Sequence, residues 1–183
     1  MARKKKEVVF ESEFFTLAEL THSETAERLH IDNTPDDLNI ECLNKLCADV
    51  LDPLRKAIGY PILINSGFRS PKLNQALRAS WKSQHMVGFA ADIRCNRATE
   101  TRLLPLKVLE EGIDFDQMII YNLKKDETRP DGLVDFYVDF IHISTSFRNR
   151  GEVLLCDSAN GKKVFTPVNP QTFFDTWKYV LTL

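Results

Sequence analysis

Helix signals crowd the first third of the chain and strand signals most of the rest, with one helical stretch set between strands. That segregation restricts the fold more than any other feature. Regular βαβ alternation would build a doubly wound parallel sheet, whereas helices gathered ahead of short, irregularly spaced strands build an α+β domain, an antiparallel sheet with helices packed on it. The local signals are specific. Thr16 and Glu19 form a capping box, which predicts a short helix after Thr16. Ser23 can cap another turn through Leu29. Thr34-Pro35-Asp36-Asp37 combines a cap, a proline at the first helical position and acids in the first turn. Leu43, Leu46, Val50, Leu54 and Ile58 then recur at helical spacing up to a stop at Gly59, and Pro53 inside the pattern predicts a kink or a split.

Beyond that helix the pattern predicts strands over 61–64, 89–94 and 115–121, a helix from Ser70-Pro71 to about Ala79, and another over 98–111. The polar stretch 124–132 reads as a turn or flexible loop, and 134–144, rich in β-branched and aromatic residues, as one long strand. Leu154-Leu155 and Val164-Phe165 flank Asn160-Gly161, a hairpin signal, and 171–181 reads as a closing helix with Phe173, Phe174, Trp177 and Val180 on its apolar face.

A length of 183 residues suits a single domain, and 43% hydrophobic residues, with 12 phenylalanines, can fill a core. The formal net charge of -2 lacks the basic excess of a general nucleic-acid binder, so no nucleic-acid partner is expected. No apolar run reaches the roughly 18–20 residues that cross a bilayer, so no membrane insertion is expected. The basic start, MARKKK, passes at once into polar residues rather than an apolar stretch of a secretory signal, which predicts synthesis in a cytoplasm without a signal peptide. Cys42, Cys47, Cys95 and Cys156 form no CxxC and read as reduced, mostly buried thiols.

Histidine chemistry must come from His22, His30, His85 and His142. His22 and His30 lie in charged helical surroundings and read as surface residues. His85 and His142 are different: His85 precedes Met86-Val87-Gly88-Phe89-Ala90-Ala91-Asp92, and His142 follows Asp139-Phe140-Ile141. A catalytic zinc site needs three N or O ligands and one open position, and His85, Asp92 and His142 can supply that set. Gly88 allows a sharp turn between the first two. Either histidine alone is more often a packed or surface side chain than a ligand, but a half-buried carboxylate in Ala-Ala-Asp-Ile needs a partner, and a metal is one. Asp139 is then the candidate acid/base group. In a regular strand, however, Asp139 and His142 point to opposite faces, so this role requires Asp139 to sit at a bulge or ahead of regular pairing.

At these residues the sequence resembles the zinc peptidases of peptidoglycan: D-Ala-D-Ala carboxypeptidases, D-Ala-D-Ala dipeptidases and phage L-alanyl-D-glutamate endopeptidases. Their S-x-H-x-x-G-x-A-x-D signature stands here as Ser83 to Asp92, followed by an acid three residues before a histidine, Asp139 and His142. Their S-G-[YF]-R-S loop stands as Ser66-Gly67-Phe68-Arg69-Ser70. The segments 15–20 and 50–55 are also similar to the cell-wall subgroup of bacteria and their phages, and the resemblance covers about residues 14–150. Phe140 and Ile141 stand where the family often has a tryptophan.

The resemblance implies a Hedgehog/DD-peptidase-like single domain. It also implies one zinc per chain on His85, Asp92 and His142, and Asp139 as general acid/base. Arg69 would bind a substrate carbonyl or carboxylate oxygen and the developing oxyanion, and Ser83 would help to hold substrate. The expected organisation is a basic tail over 1–13, a zinc peptidase domain over 14–150, and a hairpin-and-helix extension of the same domain over 151–183. The expected activity is hydrolysis of peptide bonds in peptidoglycan stem peptides, by a monomer acting on the cell wall, with a phage origin compatible. The alternative is a non-catalytic zinc-containing binding module, or a phage structural protein, that retains the fold.

Overall fold

The computed structural model describes residues 8–126, 135–159 and 162–182. Among them the chain opens with α1 (Leu17–Thr21), closed by the expected Thr16–Glu19 capping box, and α2 (Glu24–Leu29), capped by Ser23. The next helix starts later than the sequence suggests. The Thr34 hydroxyl and backbone N–H both donate to Asp32 Oδ1, at 2.7 and 2.9 Å, so Thr34 closes its own turn. Asp36 caps α3 (Asp37–Leu46) instead, accepting from the Asn39 N–H while the Asn39 side chain answers to the Asp36 N–H. The expected helix is split near Pro53. A π-turn over Cys47–Leu51, whose last bond runs from Asp52 N–H to Cys47 C=O, separates α3 from α4 (Asp52–Ile58) and places Pro53 in the first turn of α4. Proline is best tolerated in the first turn of a helix.

The strands β1 (Ile62–Ser66), β2 (Ala90–Cys95), β3 (Gln117–Tyr121), β6 (Phe140–Ser144), β7 (Glu152–Ala159) and β8 (Lys162–Val168) form one sheet in the order β1-β2-β6-β3-β7-β8, antiparallel except for the parallel β3–β7 pair. The fold is thus α+β with a mostly antiparallel sheet. Between β1 and β2 lie α5 (Pro71–Ala76), three residues shorter than expected, and a 3-10 turn at Gln84–Met86. Between β2 and β3 the expected single helix is two, α6 (Ala98–Thr101) and α7 (Leu103–Glu110). The break puts Pro105 in the first turn of α7, where it is tolerated.

Two expectations over 124–144 are corrected. Lys124–Asp126 is strand β4, paired with β5 (Asp135–Tyr137), and the remainder of the expected loop, 127–132, lies outside the described residues. The expected long strand is two, β5 and β6, separated by a bend at Asp139; Val134 is outside the described residues. The physical reason is tertiary. Phe136 of β5 packs on Trp177 (ring centroids 4.6 Å apart) and Phe173 of the closing helix α8 (Pro170–Trp177), a core contact that the main sheet cannot offer. The tip of the β7–β8 hairpin, Asn160-Gly161, lies outside the described residues.

Strand alternation separates the two faces of the sheet. Ala91, Ile93, Met118, Ile120, Ile141, Ile143 and Val153 turn toward the helices. They share one core with Leu43, Leu46, Val50 and Leu54, and with Phe173, Trp177 and Val180 of the C-terminal segment. Asp92, His142, Ile119, Tyr121 and Phe140 lie on the other face. All four cysteines are free, three of them buried, and burial raises the Cys47 thiol to about 12 and the Cys95 thiol to about 11. Among the described residues no helix is long and apolar enough to cross a membrane.

Candidate metal centre

Register brings two of the expected donors together. Asp92 of β2 pairs directly with His142 of β6, which in turn faces Ile119 of β3, so carboxylate and imidazole are cross-strand neighbours on the polar face. His85 arrives from the 3-10 turn. Gly88, at φ +90°, swings the chain from that turn into β2. A Cβ there would lie 2.7 Å from the Asn39 carbonyl oxygen, so only glycine fits without movement of α3.

The turn that carries His85 is laced to the Ser66–Ser70 loop in both directions. The Arg69 N–H donates to the His85 C=O at 3.1 Å, and His85 Nδ1–H donates to the Gly67 C=O at 2.7 Å. Because a carbonyl only accepts, the second bond fixes the His85 tautomer and leaves its Nε2 lone pair free. That lone pair lies 3.1 Å from His142 Nδ1 and 3.3 Å from Asp92 Oδ1, and His142 Nδ1 lies 3.0 Å from Asp92 Oδ1. Three electron-rich atoms therefore converge in a site where His85 and His142 are buried. A tetrahedral ion with donors at about 2.0–2.1 Å holds those donors about 3.3–3.4 Å apart. The spacing and chemistry of the set fit such an ion.

The protonation states suit ligands. Burial lowers the His85 pKa, against the pull of the Asp92 carboxylate, and favours the neutral ring. Burial alone would raise the Asp92 pKa, but the charge and hydrogen bonds of the two histidines outweigh it and hold the carboxyl well below the usual range. Arg69 completes the arrangement from outside: one guanidinium nitrogen donates to Asp92 Oδ2 at 2.5 Å and Nε donates to Ser66 Oγ at 2.7 Å. This directs Asp92 Oδ1 to the centre, and the guanidinium has further N–H donors.

The centre forms part of the floor of a cleft of roughly 740 Å³, a volume suited to a peptide-sized ligand. Arg69 and Ser83 line it, as do Arg78, Lys82, Gln84, Tyr121, Phe140, Lys163 and Phe165. Asp139 does not. It is exposed in the bend before β6; its N–H donates to Tyr121 C=O at 3.1 Å and its Oδ2 accepts from Asn122 Nδ2 at 2.5 Å. It thus stands ahead of regular pairing, the condition that the strand alternation set, but its carboxylate faces Asn122. Trp81 is 78% exposed under the Lys82 ammonium and does not line the cleft, and His22 and His30 are exposed.

Sequence reasoning missed Asp116, which reads locally as a turn residue. It is buried and accepts from Gln84 Nε2 at 2.9 Å, Ser146 Oγ at 3.3 Å, and Arg150 Nε and its terminal nitrogen at 2.9 and 2.6 Å. Gln84 adjoins His85, so this hub ties the ligand-bearing turn to the segment after β6. The only sequence signal was a carboxylate beside the apolar Phe115. Arg150's hydrogen bonds hold the Asp116 carboxyl below its ordinary value, against burial. A carboxylate with a lowered folded-state pKa stabilises the fold above its unfolded value, about 3.9, and that contribution is lost as pH falls through the lowered value. Asp116→Asn should therefore lower stability at pH 7 by about 1–2 kcal/mol. Thermal melts of the two proteins should converge as pH drops below about 4; curves that stay parallel would exclude this role.

Asp92 and His142 on the polar face of the sheet, with His85 on the adjoining turn, put two imidazoles and a carboxylate at ligand spacing beside a peptide-sized cleft, a group that could hold a metal ion. The comparison with known families is specific on this point: the peptidase M15 family matches residues 13–125, and the chain belongs to it. The match includes Arg69, Ser83, His85 and Asp92 and ends before Asp139 and His142. No curated protein matches the chain.

Proposed function

We propose that the chain is a zinc peptidase that hydrolyses peptide bonds in the stem peptides of bacterial peptidoglycan, on a domain of the Hedgehog/DD-peptidase type. The observation that carries this reading is the convergence of His85 Nε2, Asp92 Oδ1 and His142 Nδ1 at the cleft floor in a member of a peptidase family. In this reading these atoms hold one zinc, which when bound supplies an acidified water and polarises the scissile carbonyl. Arg69 orients Asp92, and its remaining N–H donors meet the substrate carbonyl oxygen as it gains charge. Ser83, on the cleft wall beside His85, hydrogen-bonds the substrate backbone. Asp139 accepts the proton of the attacking water at its carboxylate and returns it to the leaving amine, exchanging its Asn122 hydrogen bond as it does so. The protein acts on the cell wall as a monomer, and a phage lysin or virion component suits such a chain.

Asp139→Ala should retain one zinc per chain and lose about 100- to 10,000-fold in turnover, read as new amino groups released from purified peptidoglycan with mass analysis of the fragments. Undiminished turnover would remove Asp139 from the mechanism. One observation favours a second reading, a zinc-containing binding module without turnover: the Asp139 carboxylate is engaged by Asn122 away from the cleft lining. Zinc-loaded protein that binds peptidoglycan yet releases no amino groups would establish that reading instead.

A further inference from the structure

The cleft has two walls. One is the segment 77–84 between α5 and the His85 turn; the other is β8, which contributes Lys163 and Phe165. β8 lies beyond the family match, on a hairpin seated in the sheet because β7 pairs in parallel with β3. The lining is cationic: Arg69, Arg78, Lys82 and Lys163 face a single acid, Asp92, which the centre and Arg69 already engage. The chain as a whole is slightly acidic, with a formal charge of -2, so this local excess does not follow from composition. Among the described residues Lys163 forms no ion pair. Its ammonium rests 5.0 Å above the Tyr121 ring, which itself stacks on Phe140 at 4.3 Å with both rings lining the cleft. A cation held on an aromatic platform inside a cleft, with no anion of its own, is poised for an anionic group on the ligand.

Resting on the reading of the cleft as a peptide-hydrolysing site, we propose that Lys163 is a specificity residue that binds a carboxylate of the substrate peptide away from the bond that is cut. Arg69 contacts Asp92 of the ligand set directly, whereas Lys163 comes from β8 and rests on the Tyr121 ring, so in this proposal the two cations address different substrate oxygens. Lys163 is exposed on an edge strand, so its substitution leaves the core untouched.

The test uses soluble stem peptides released from purified peptidoglycan, taken as released and after conversion of their carboxyls to methylamides. Binding to the metal-free chain is read by calorimetry, and kcat and KM are read on the zinc-loaded chain. Wild type should prefer the unmodified peptides. Lys163→Ala should weaken their binding about three- to tenfold and raise KM with little change in kcat. Lys163→Glu should weaken it further, Lys163→Arg should restore most of it, and methylamide peptides should be indifferent to all three. The preference should shrink in about 0.5 M salt. Equal affinity of wild type for both peptide sets, no binding of either, or an equal loss on both sets in Lys163→Ala would overturn the proposal. Carboxylate-selective, Lys163-dependent binding without hydrolysis would keep it and overturn the peptidase reading. Hydrolysis indifferent to Lys163 would do the reverse.

Discussion

On the proposed reading, His142→Ala is expected to yield a folded chain that does not retain stoichiometric zinc and whose hydrolysis of peptidoglycan falls by about a thousandfold or more. The fold survives because β6 sits between β2 and β3 and is held there by backbone pairing that alanine keeps, while the imidazole lies on the polar face rather than in the core. The centre does not survive, because two donors replace three. Losing merely a supporting contact of a ligand costs roughly 10- to 100-fold in metal affinity, and losing the ligand itself costs more. Polarisation by a bound ion is worth several kcal/mol, and each ~1.4 kcal/mol is tenfold in rate, which sets the scale of the activity loss. Elemental analysis of purified variant and wild type, beside circular dichroism, checks it. A variant that is folded, retains one zinc per chain and stays active would refute the assignment of His142.

Gly67→Ala is expected to damage both stability and the centre without altering a donor. A Cβ at this position would stand 2.2 Å from the Leu20 carbonyl oxygen, which is backbone and cannot rotate away. That same oxygen accepts the Phe68 N–H at 2.7 Å, so the loop cannot retreat without giving up a buried bond. Overpacking of this kind costs about 1–3 kcal/mol. The displaced Gly67 carbonyl also ceases to hold His85 Nδ1–H, which frees the ring to turn and should weaken zinc binding about 10- to 100-fold. Denaturant melts and competitive zinc titration measure the two effects. Unchanged zinc affinity would show that the tautomer-fixing bond contributes nothing, whereas His85→Ala removes the ligand without the steric conflict and separates the causes.

What the sequence made legible follows from range. Capping boxes act within a few residues and the Ser83–Asp92 signature spans ten, so the starts of α1 and α2 and the grouping of His85 with Asp92 were accessible to short-range reading. His142 joined them through a motif rather than through any local rule, and only strand register explains why it lies opposite Asp92. The failures lie where distant partners decide. Thr34 lost its capping role to a competing bond with Asp32. The stretch 134–144 looked like one strand because propensity cannot see that Phe136 belongs with Trp177, far along the chain, and that β5 pairs with β4. The hub at Asp116 was invisible because its donors come from residues on either side, up to 34 positions away. The parallel seating of β7 against β3, which turns a terminal hairpin into a cleft wall, has no local signature at all.

The alternation of the strands has a further consequence for how this chain can change. In β2, β3 and β6, neighbouring positions serve different purposes: Ala91, Ile93, Met118, Ile120, Ile141 and Ile143 hold the molecule together, and Asp92, Ile119, Tyr121, Phe140 and His142 line the cleft. Parity along the strand therefore sorts mutations in advance into those that alter folding and those that alter chemistry, and changes of the two sorts at well-separated positions should combine almost independently. The same economy leaves one shared vulnerability. A slip of β2 by a single residue against its neighbours would exchange the two sets, sending a carboxylate toward the helices and isoleucine toward the cleft, so core and centre would be lost in one error.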